Sequence, residues 1–521
     1  MNQSGTLERF TSLFLEISAI GVSLAVFAVV LVLAWMYFRD INQSRHAIRR
    51  NFPIIGRFRY FFEHLGEFFR PYVFAMDREE LPFNRAQRSW VYRAAKNLDT
   101  TTAFGSSRSL NTPGNTIFLN ALFPPLESDI TAPAAIVFGE HSAATPFTSN
   151  KLVNISAMSF GALSAPAVQA LSHGAAKAGI YLNTGEGGLS PYHLEGGCDI
   201  VFQIGTAKYG VRDAHGHLSD EKLKDIAAHK QVRMFELKLA QGAKPGKGGI
   251  LPAAKVTELI ASTRGIPVGE ASISPNRHTD INSIDELLER IAHIRRVTGK
   301  PVGFKTVLGA DAWLDELCKT IHQKGLDYAP DFITLDGGDG GSGAAPLSLI
   351  DAMGLPLKRA LPLLVDTLTR YALRDRVKII ASGKLINPIE VASALCLGAD
   401  MVNTARGFLF ALGCIQALQC NKNTCPTGIT THNKDLQEGL NPLHKAERVA
   451  HYADNIAHEV EIIAHSCGVT EPRQLGRQHA QVVDASGFPQ PLLDQFPTAT
   501  VLPRYRAAPD QRKSTSSGDI A

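Results

Sequence analysis

The stretch Ser283–Thr306, SIDELLERIAHIRRVTGKPVGFKT, reads as a helix followed by a strand. Ser283 stands as the N-cap with Glu286 three residues on, and Ile284, Leu287, Leu288, Ile291 and Ile294 recur at helical spacing to form one apolar stripe. Val302–Thr306 then runs as a short β-like segment. The stripe must be buried, so the helix is expected to pack on a sheet. The same unit recurs on both sides: Asn154–Met158, Tyr181–Asn183, Phe202–Gly205, Met234–Lys238, Phe332–Leu335, Lys378–Ala381 and Met401–Thr404 read as further strands among helical stretches. Such alternation implies a parallel sheet with crossover helices, and eight strands is the number that closes a (β/α)8 TIM barrel. An open doubly wound sheet is the competing arrangement, but no strand is followed by the GxGxxG turn of a dinucleotide fold.

Upstream, Ile17–Phe38 is apolar and carries no charge, close to the roughly 20 residues a helix needs to cross a bilayer. Trp35, Tyr37, Phe38 and Arg39 stand where a cleavable signal would need small residues, so a transmembrane anchor is expected over residues 1–40. Arg39, Arg45, Arg49, Arg50, Arg57 and Arg59 follow with almost no acid, which by the positive-inside rule places a single-pass protein with its catalytic part in the cytoplasm. Residues 41–150 form an aromatic- and Arg-rich connector, expected to pack on the barrel or to sit at the membrane surface. The barrel is expected over 151–470. Residues 471–521, rich in Pro, Gln and Ser, read as a partly disordered tail. A net charge of +4 over 53 basic and 49 acidic residues offers no broad basic field, which excludes nucleic acid as a partner.

Three features carry chemistry. Cys414, Cys420 and Cys425 fall within a dozen residues, a spacing that suits an iron–sulfur cluster, zinc completed by Cys467 or His432, or three buried structural thiols. Glycine-rich turns follow the late strands: Leu335–Pro346 (LDGGDGGSGAAP), Gly383, and Thr404-Ala405-Arg406-Gly407. Loops in that position of a barrel commonly bind phosphate, so a phosphate-bearing cofactor is expected, the alternative being glycines that only make tight turns. Finally, Lys238 in MFELKLAQGAKPGKGG and Lys305 in VGFKTV sit near the C-terminal ends of their strands, where a lysine suits a flavin ring or a substrate carboxylate.

Together SAMSFGALS (Ser156–Ser164), NTGEGG (Asn183–Gly188), ELKLAQGAKPGKGGILP (Glu236–Pro252), ISPNRHTDINSIDEL (Ile273–Leu287), DGGSGAAP (Asp339–Pro346) and GCIQALQCNKNTCPTGI (Gly413–Ile429) resemble the FMN-binding synthase domain of glutamate synthases, over about Asn154 to Asp435. The resemblance implies an oxidoreductase that makes glutamate by reductive amination of 2-oxoglutarate at FMN, with a 3Fe-4S cluster on Cys414, Cys420 and Cys425. It implies that Met158 and Ser159 lie against the flavin, that Lys238 and Lys305 contact its ring or the keto acid, and that Gly340, Gly341, Gly383, Ala405 and Arg406 hold the FMN region and its phosphate. Glu186 would stand where ammonia arrives, and Lys238, Gln241, Lys244 and Arg264 match positions around the 2-oxoglutarate pocket.

Departures accompany the match. Lys247 and Ile250 replace Glu and Gln of the family motif, Gly338 replaces a usual His, and Ser342 and Ala345 are milder changes. Ile250 removes an amide expected beside the keto acid, which leaves room for an amine or amino-acid dehydrogenase or an N-substituted glutamate synthase. A membrane electron-transfer subunit is a third alternative. The family's glutaminase domain has no counterpart in the sequence, so free ammonia or a separate glutaminase subunit is the expected nitrogen source. Ferredoxin, a reductase subunit or a membrane donor is the expected electron source.

Overall fold

The protein is described here by a computed structural model covering residues 4–43, 46–69 and 76–506. It divides into two units, Met1–Arg85 and Ala86–Ala521.

The larger unit is built on a closed parallel barrel of eight strands: β1 Val153–Ile155, β2 Leu182–Asn183, β3 Ile200–Ile204, β4 Val232–Lys238, β5 Val302–Val307, β6 Phe332–Asp336, β7 Lys378–Ser382 and β8 Met401–Thr404. Each pairs in parallel with the next, with a register shift between Ile200 and Val201 where β3 meets β4, and β8 closes on β1 through Val402 and Val153. Every strand expected from the sequence is present. The helix between β4 and β5, Ile284–Thr298, begins as read: the Ser283 hydroxyl accepts from the Glu286 amide at 3.1 Å, and Leu287, Leu288, Ile291 and Ile294 are buried. The Glu286 carboxylate accepts from the Asn282 amide, one residue before the cap.

A polar network stitches the barrel interior. The Glu236 carboxylate, 1% exposed, accepts from Asn183 at 2.8 Å, Gln203 at 2.7 Å and Thr334 at 2.5 Å, so one buried charge ties β4 to β2, β3 and β6. At the N-terminal end the core is apolar. A hairpin of Ile136–Phe138 and Phe147–Ser149 places Ile136, Phe138 and Phe147 against Tyr181, Val201, Met234, Phe332, Ile380 and Met401.

Two segments outside the barrel strands are organised by long-range contacts. The connector is not one piece: residues 41–85 group with the apolar helix, while 86–150 belong to the barrel unit. In the latter, helix Arg85–Ala95 sets Trp90 edge-on to Tyr452, and hairpin 136–149 plugs the barrel floor. The tail expected to be partly disordered is folded as far as it is described: Ala480–Val483 pairs with Thr116–Phe118 and Pro489–Pro491, and Tyr505 stacks on His322 at 4.4 Å. Both segments hold their shape through partners hundreds of residues away, which local composition does not record. The expectation of disorder for Gln511–Ala521 lies outside the described residues.

The smaller unit is led by helix Ser4–Asn42, long and apolar enough to cross a membrane over Glu8–Asn42, with its apolar side chains exposed all round.

Candidate active site

Most of the polar residues singled out in the sequence gather at the C-terminal mouth of the barrel. β2 runs into a single 3-10 turn, Gly185–Gly187, which lifts Glu186 over the rim. Glycine backbones make its slot: a Cβ at Gly205 would fall 2.6 Å from the Glu186 Cβ, and one at Gly249 would fall 2.8 Å from its Oε1. From the end of β4, Lys238 Nζ reaches Glu186 Oε1 at 2.9 Å and donates to Gln241 Oε1 at 2.8 Å. The Gln241 amide in turn donates to the Gly341 carbonyl at 3.3 Å, so it joins the lysine to the glycine loop after β6.

Two further cations complete the group. Lys244 is 8% exposed; burial and then Lys238 hold its ammonium below the usual lysine range, with Glu186 opposing and Lys247 adding to the fall. Arg264, 5% exposed, donates to Ser272 Oγ at 3.2 Å and to the Phe160 carbonyl at 3.3 Å, and its guanidinium lies 5.2 Å from the Tyr209 ring centroid. Its Nε is buried without a hydrogen-bond partner, and among the described residues no carboxylate pairs with it. Burial would raise the Glu186 carboxyl, but Lys238, Lys244 and Arg264 outweigh it and hold the group below the usual carboxylate range. The pocket therefore sets three buried or half-buried cations against one carboxylate.

Beside it lies a glycine cradle on β6 to β8. The Gly337 amide donates to the Ser382 carbonyl at 2.8 Å and the Gly340 amide to the Gly337 carbonyl at 2.8 Å. A Cβ at Gly383, where φ is +129°, would come within 3.0 Å of the Gly337 nitrogen. Lys305, in register with Lys238, lies 3.6 Å from Asp336 Oδ2, which also accepts the Gly242 amide at 2.8 Å. Met158 and Ser159 come in from β1: the Met158 amide donates to the Asn183 carbonyl at 3.0 Å, and Ser159 packs on the turn that carries Glu186. Ala405 caps helix Arg406–Leu412. Arg406 donates to the Ser342 carbonyl at 2.6 Å and points Nη1 at Cys420 Sγ, 3.9 Å away.

Cys420 belongs to a loop that brings the three candidate thiols together. Burial pushes the Cys414 thiol up to about 11, with Arg406 opposing and Cys420 and Cys425 adding to the rise. The Gln416 amide donates to Cys414 Sγ at 3.5 Å, and Thr427 Oγ1 lies 3.4 Å from Cys425 Sγ. Gln416, Leu418 and Asn423 all take left-handed backbone angles, a concentration of strain typical of sites that hold something. Tyr92 donates to the Cys414 carbonyl at 2.6 Å. Zinc is a poor fit: Cys467 sits with Cys396 and the His479 carbonyl, His432 Nε2 is engaged with the Gly161 carbonyl, and among the described residues no three His, Cys, Asp or Glu side chains converge on one ion.

Sequence reasoning missed three supporting residues. Asp336 had a signal, an acid at a strand end before a glycine pair. His193 and Lys255 had none. His193 Nδ1 faces the Ser190 amide and hydroxyl and must accept, so Nε2–H donates to the Met158 carbonyl at 2.9 Å; burial pushes this histidine down to about 4 and keeps it neutral. Lys255 Nζ clamps the cysteine loop by donating to the carbonyls of Cys420 at 3.0 Å and Thr430 at 2.6 Å.

A family model described as a conserved region in glutamate synthase matches residues 110–470. The chain belongs to the glutamate synthase family. It is thereby an oxidoreductase of glutamate synthase type. The glutamate synthase large subunit-like protein YerD of Bacillus subtilis (strain 168) is 40% identical over 502 residues, 89% of this chain and 95% of that one. The archaeal-type glutamate synthase (NADPH) of Thermotoga neapolitana is 36% identical over 300 residues, and the archaeal glutamate synthase (NADPH) of Methanocaldococcus jannaschii 34% over 300, each covering 57% of this chain and 55% of the relative. The match to those two glutamate synthases thus spans about half of their length. The family match extends on both sides of the span read from the sequence and takes in hairpin 136–149.

Proposed function

We propose that this protein binds FMN at the barrel mouth and reductively aminates 2-oxoglutarate to L-glutamate, with electrons entering through a 3Fe-4S cluster on Cys414, Cys420 and Cys425. The observation that carries the reading is the charge balance of the pocket. Lys238, Lys244 and Arg264 against Glu186 leave an excess of two positive charges in a half-enclosed site, the complement of a dicarboxylate. Burial of unpaired cations is costly unless an anion joins them.

The cofactor sites fit their groups. The glycines at Gly337, Gly340, Gly341 and Gly383 let the loops after β6 and β7 pack closely where barrels hold phosphate, and three thiols with N–H and hydroxyl donors toward sulfur suit cluster ligation better than a lone ion. FMN, when bound, supplies the hydride. The chain's own residues do the rest. Arg264 and Lys244 grip the substrate carboxylates, and Lys238 fixes the keto oxygen side of the pocket while holding Glu186 ionised. Glu186, held ionised, accepts a hydrogen bond from incoming neutral ammonia and orients it, so that the ammonia attacks the keto carbon and water leaves to give 2-iminoglutarate. Hydride addition to the imine carbon with one proton to nitrogen completes glutamate.

Ile250 supports a second reading. It lies half exposed on a two-stranded ribbon, opposite the exposed Ile273, so the rim beside the cationic pocket is apolar. An N-substituted glutamate synthase or an amine or amino-acid dehydrogenase would use such a rim. A membrane electron-transfer subunit would have no need of the cationic pocket. The Ser4–Asn42 helix is read as a single-pass anchor with the barrel on the cytoplasmic side, next to ferredoxin, a reductase subunit or a membrane donor, and ammonia is read as coming free or from a separate glutaminase.

The test is anaerobic. The detergent-purified protein, with FMN and iron quantified, is reduced and titrated with 2-oxoglutarate plus ammonium. Reoxidation is expected to require both, to yield glutamate and to fall by about a hundredfold or more in Lys238→Ala. A protein carrying both cofactors whose flavin neither substrate reoxidises would sink the glutamate reading and favour the second.

A further inference from the structure

Helix Gly56–Phe69, in the N-terminal unit, has three distinct faces. One turns inward. Arg57 grips Asp40 through two nitrogens, both at 2.8 Å, and Asp40, 1% exposed, also accepts the Ile54 amide at 3.0 Å. On the same face the Tyr60 ring takes the Arg49 guanidinium at 4.6 Å and His46 at 5.1 Å. Gly56 lets the turn close, since a Cβ there would lie 2.8 Å from the Ile48 carbonyl oxygen. A second face carries the exposed pair Arg59–Glu63. The third is apolar: Phe58, Phe61, Phe62 and Phe69 recur at i, i+3, i+4 and i+11, and each is about half exposed or more.

The buried ion pair fixes the level of this face. Asp40 stands two residues past Phe38, the end of the apolar stretch, or about 3 Å along the helix axis. The first turn of Gly56–Phe69 is therefore held where the long helix stops being apolar. Between Arg39 and Gly66 the chain has six arginines against two carboxylates, which complements anionic lipid. Four aromatic rings on one side, cations around them and a rigid link to a membrane-spanning length of helix are together the chemistry of an interfacial helix.

We propose that Gly56–Phe69 lies in the interfacial layer of an anionic bilayer, with Phe58, Phe61, Phe62 and Phe69 at the boundary between headgroups and acyl chains. The proposal rests on reading Ser4–Asn42 as a membrane span. Four full-length chains test it, all carrying Trp90→Phe and Trp313→Phe: one keeps Trp35, and the other three have Trp35→Phe with Phe61→Trp, Phe58→Trp or Arg59→Trp. Each is reconstituted into phosphatidylglycerol–phosphatidylcholine vesicles whose phosphatidylcholine is brominated near the headgroup or deep in the chain. The Phe61→Trp fluorescence is expected to be quenched at least twofold more by shallow than by deep bromine, with Phe58→Trp behaving alike and Arg59→Trp barely quenched. If Trp35 is quenched and neither phenylalanine replacement is, protein rather than lipid covers the face: the span stands and this proposal falls. Equal quenching at position 59 overturns the assigned orientation. If Trp35 itself is not quenched, the span reading fails and takes the proposal with it.

Discussion

Arg264 is where the charge balance of the pocket is decided. A guanidinium that is 5% exposed, with no carboxylate partner among the described residues and a buried Nε left over, is held at a cost that only an anion offsets. Arg264→Met keeps the length and removes the charge. It should leave the thermal midpoint unchanged or higher, yet raise the KM for the keto acid at least tenfold, the loss of about 1.5–3 kcal/mol expected for hydrogen bonds to a charged group. Steady-state kinetics beside a melting curve separate the two effects; a lower midpoint with an unchanged KM would make the arginine structural. Ile250 sits on an exposed ribbon, so Ile250→Gln should change stability by no more than about 0.5 kcal/mol. If 2-oxoglutarate is the substrate, the restored amide should raise kcat/KM for it. If activity falls while bulkier apolar amines lose ground as well, the apolar rim is what the true substrate needs.

Among elements, the loop after β4 and the loop after β6 depend on each other. A Cβ at Gly242 would stand 1.7 Å from the Gly337 carbonyl oxygen, a backbone atom that no rotamer change can move aside. Gly242→Ala should therefore push the glycine cradle out of shape, lowering stability by roughly 1–3 kcal/mol or more and reducing bound flavin. Gly246→Ala, four residues on, is the control. Its φ is +68° with nothing within 4 Å of the would-be Cβ, so the cost is backbone strain alone, about 1–2 kcal/mol, with flavin content unchanged. Melting temperature and the ratio of flavin to protein absorbance check both. The strands that carry these loops were legible because a buried strand and an amphipathic helix each write a period into their own residues. The contact between the loops was not, because it joins residues nearly a hundred positions apart through backbone atoms that every sequence shares.

At the scale of the whole molecule, His193 and His278 make the fold sensitive to acid. Burial pushes both down to about 4; Lys208 adds to the fall at His278, and each ring is locked to a carbonyl, of Met158 and Lys238 respectively. A histidine whose folded pKa lies below its unfolded value of about 6.5 is protonated first in the unfolded chain. Its contribution is complete above about pH 6.5 and is lost as pH falls toward 4, up to roughly 3 kcal/mol each. The thermal midpoint should hold between pH 8 and 7 and drop clearly by pH 5, with a shallower fall in His193→Gln; a flat profile from 7.5 to 5 would refute the buried neutral histidines. What the sequence determined by itself was what repeats locally or sits close together: eight strands with their helices, hence the barrel; three cysteines within a dozen residues; one charge-free stretch, Ile17–Phe38. The tertiary structure alone decided which distant groups share a site. It set Arg406 between the glycine loop and Cys420, put Lys255 under the cysteine loop, drew hairpin 136–149 into the barrel floor and divided the connector at Arg85. Periodicity reports that a residue is buried, whereas the identity of its neighbours follows only from how the closed sheet brings its strand ends together.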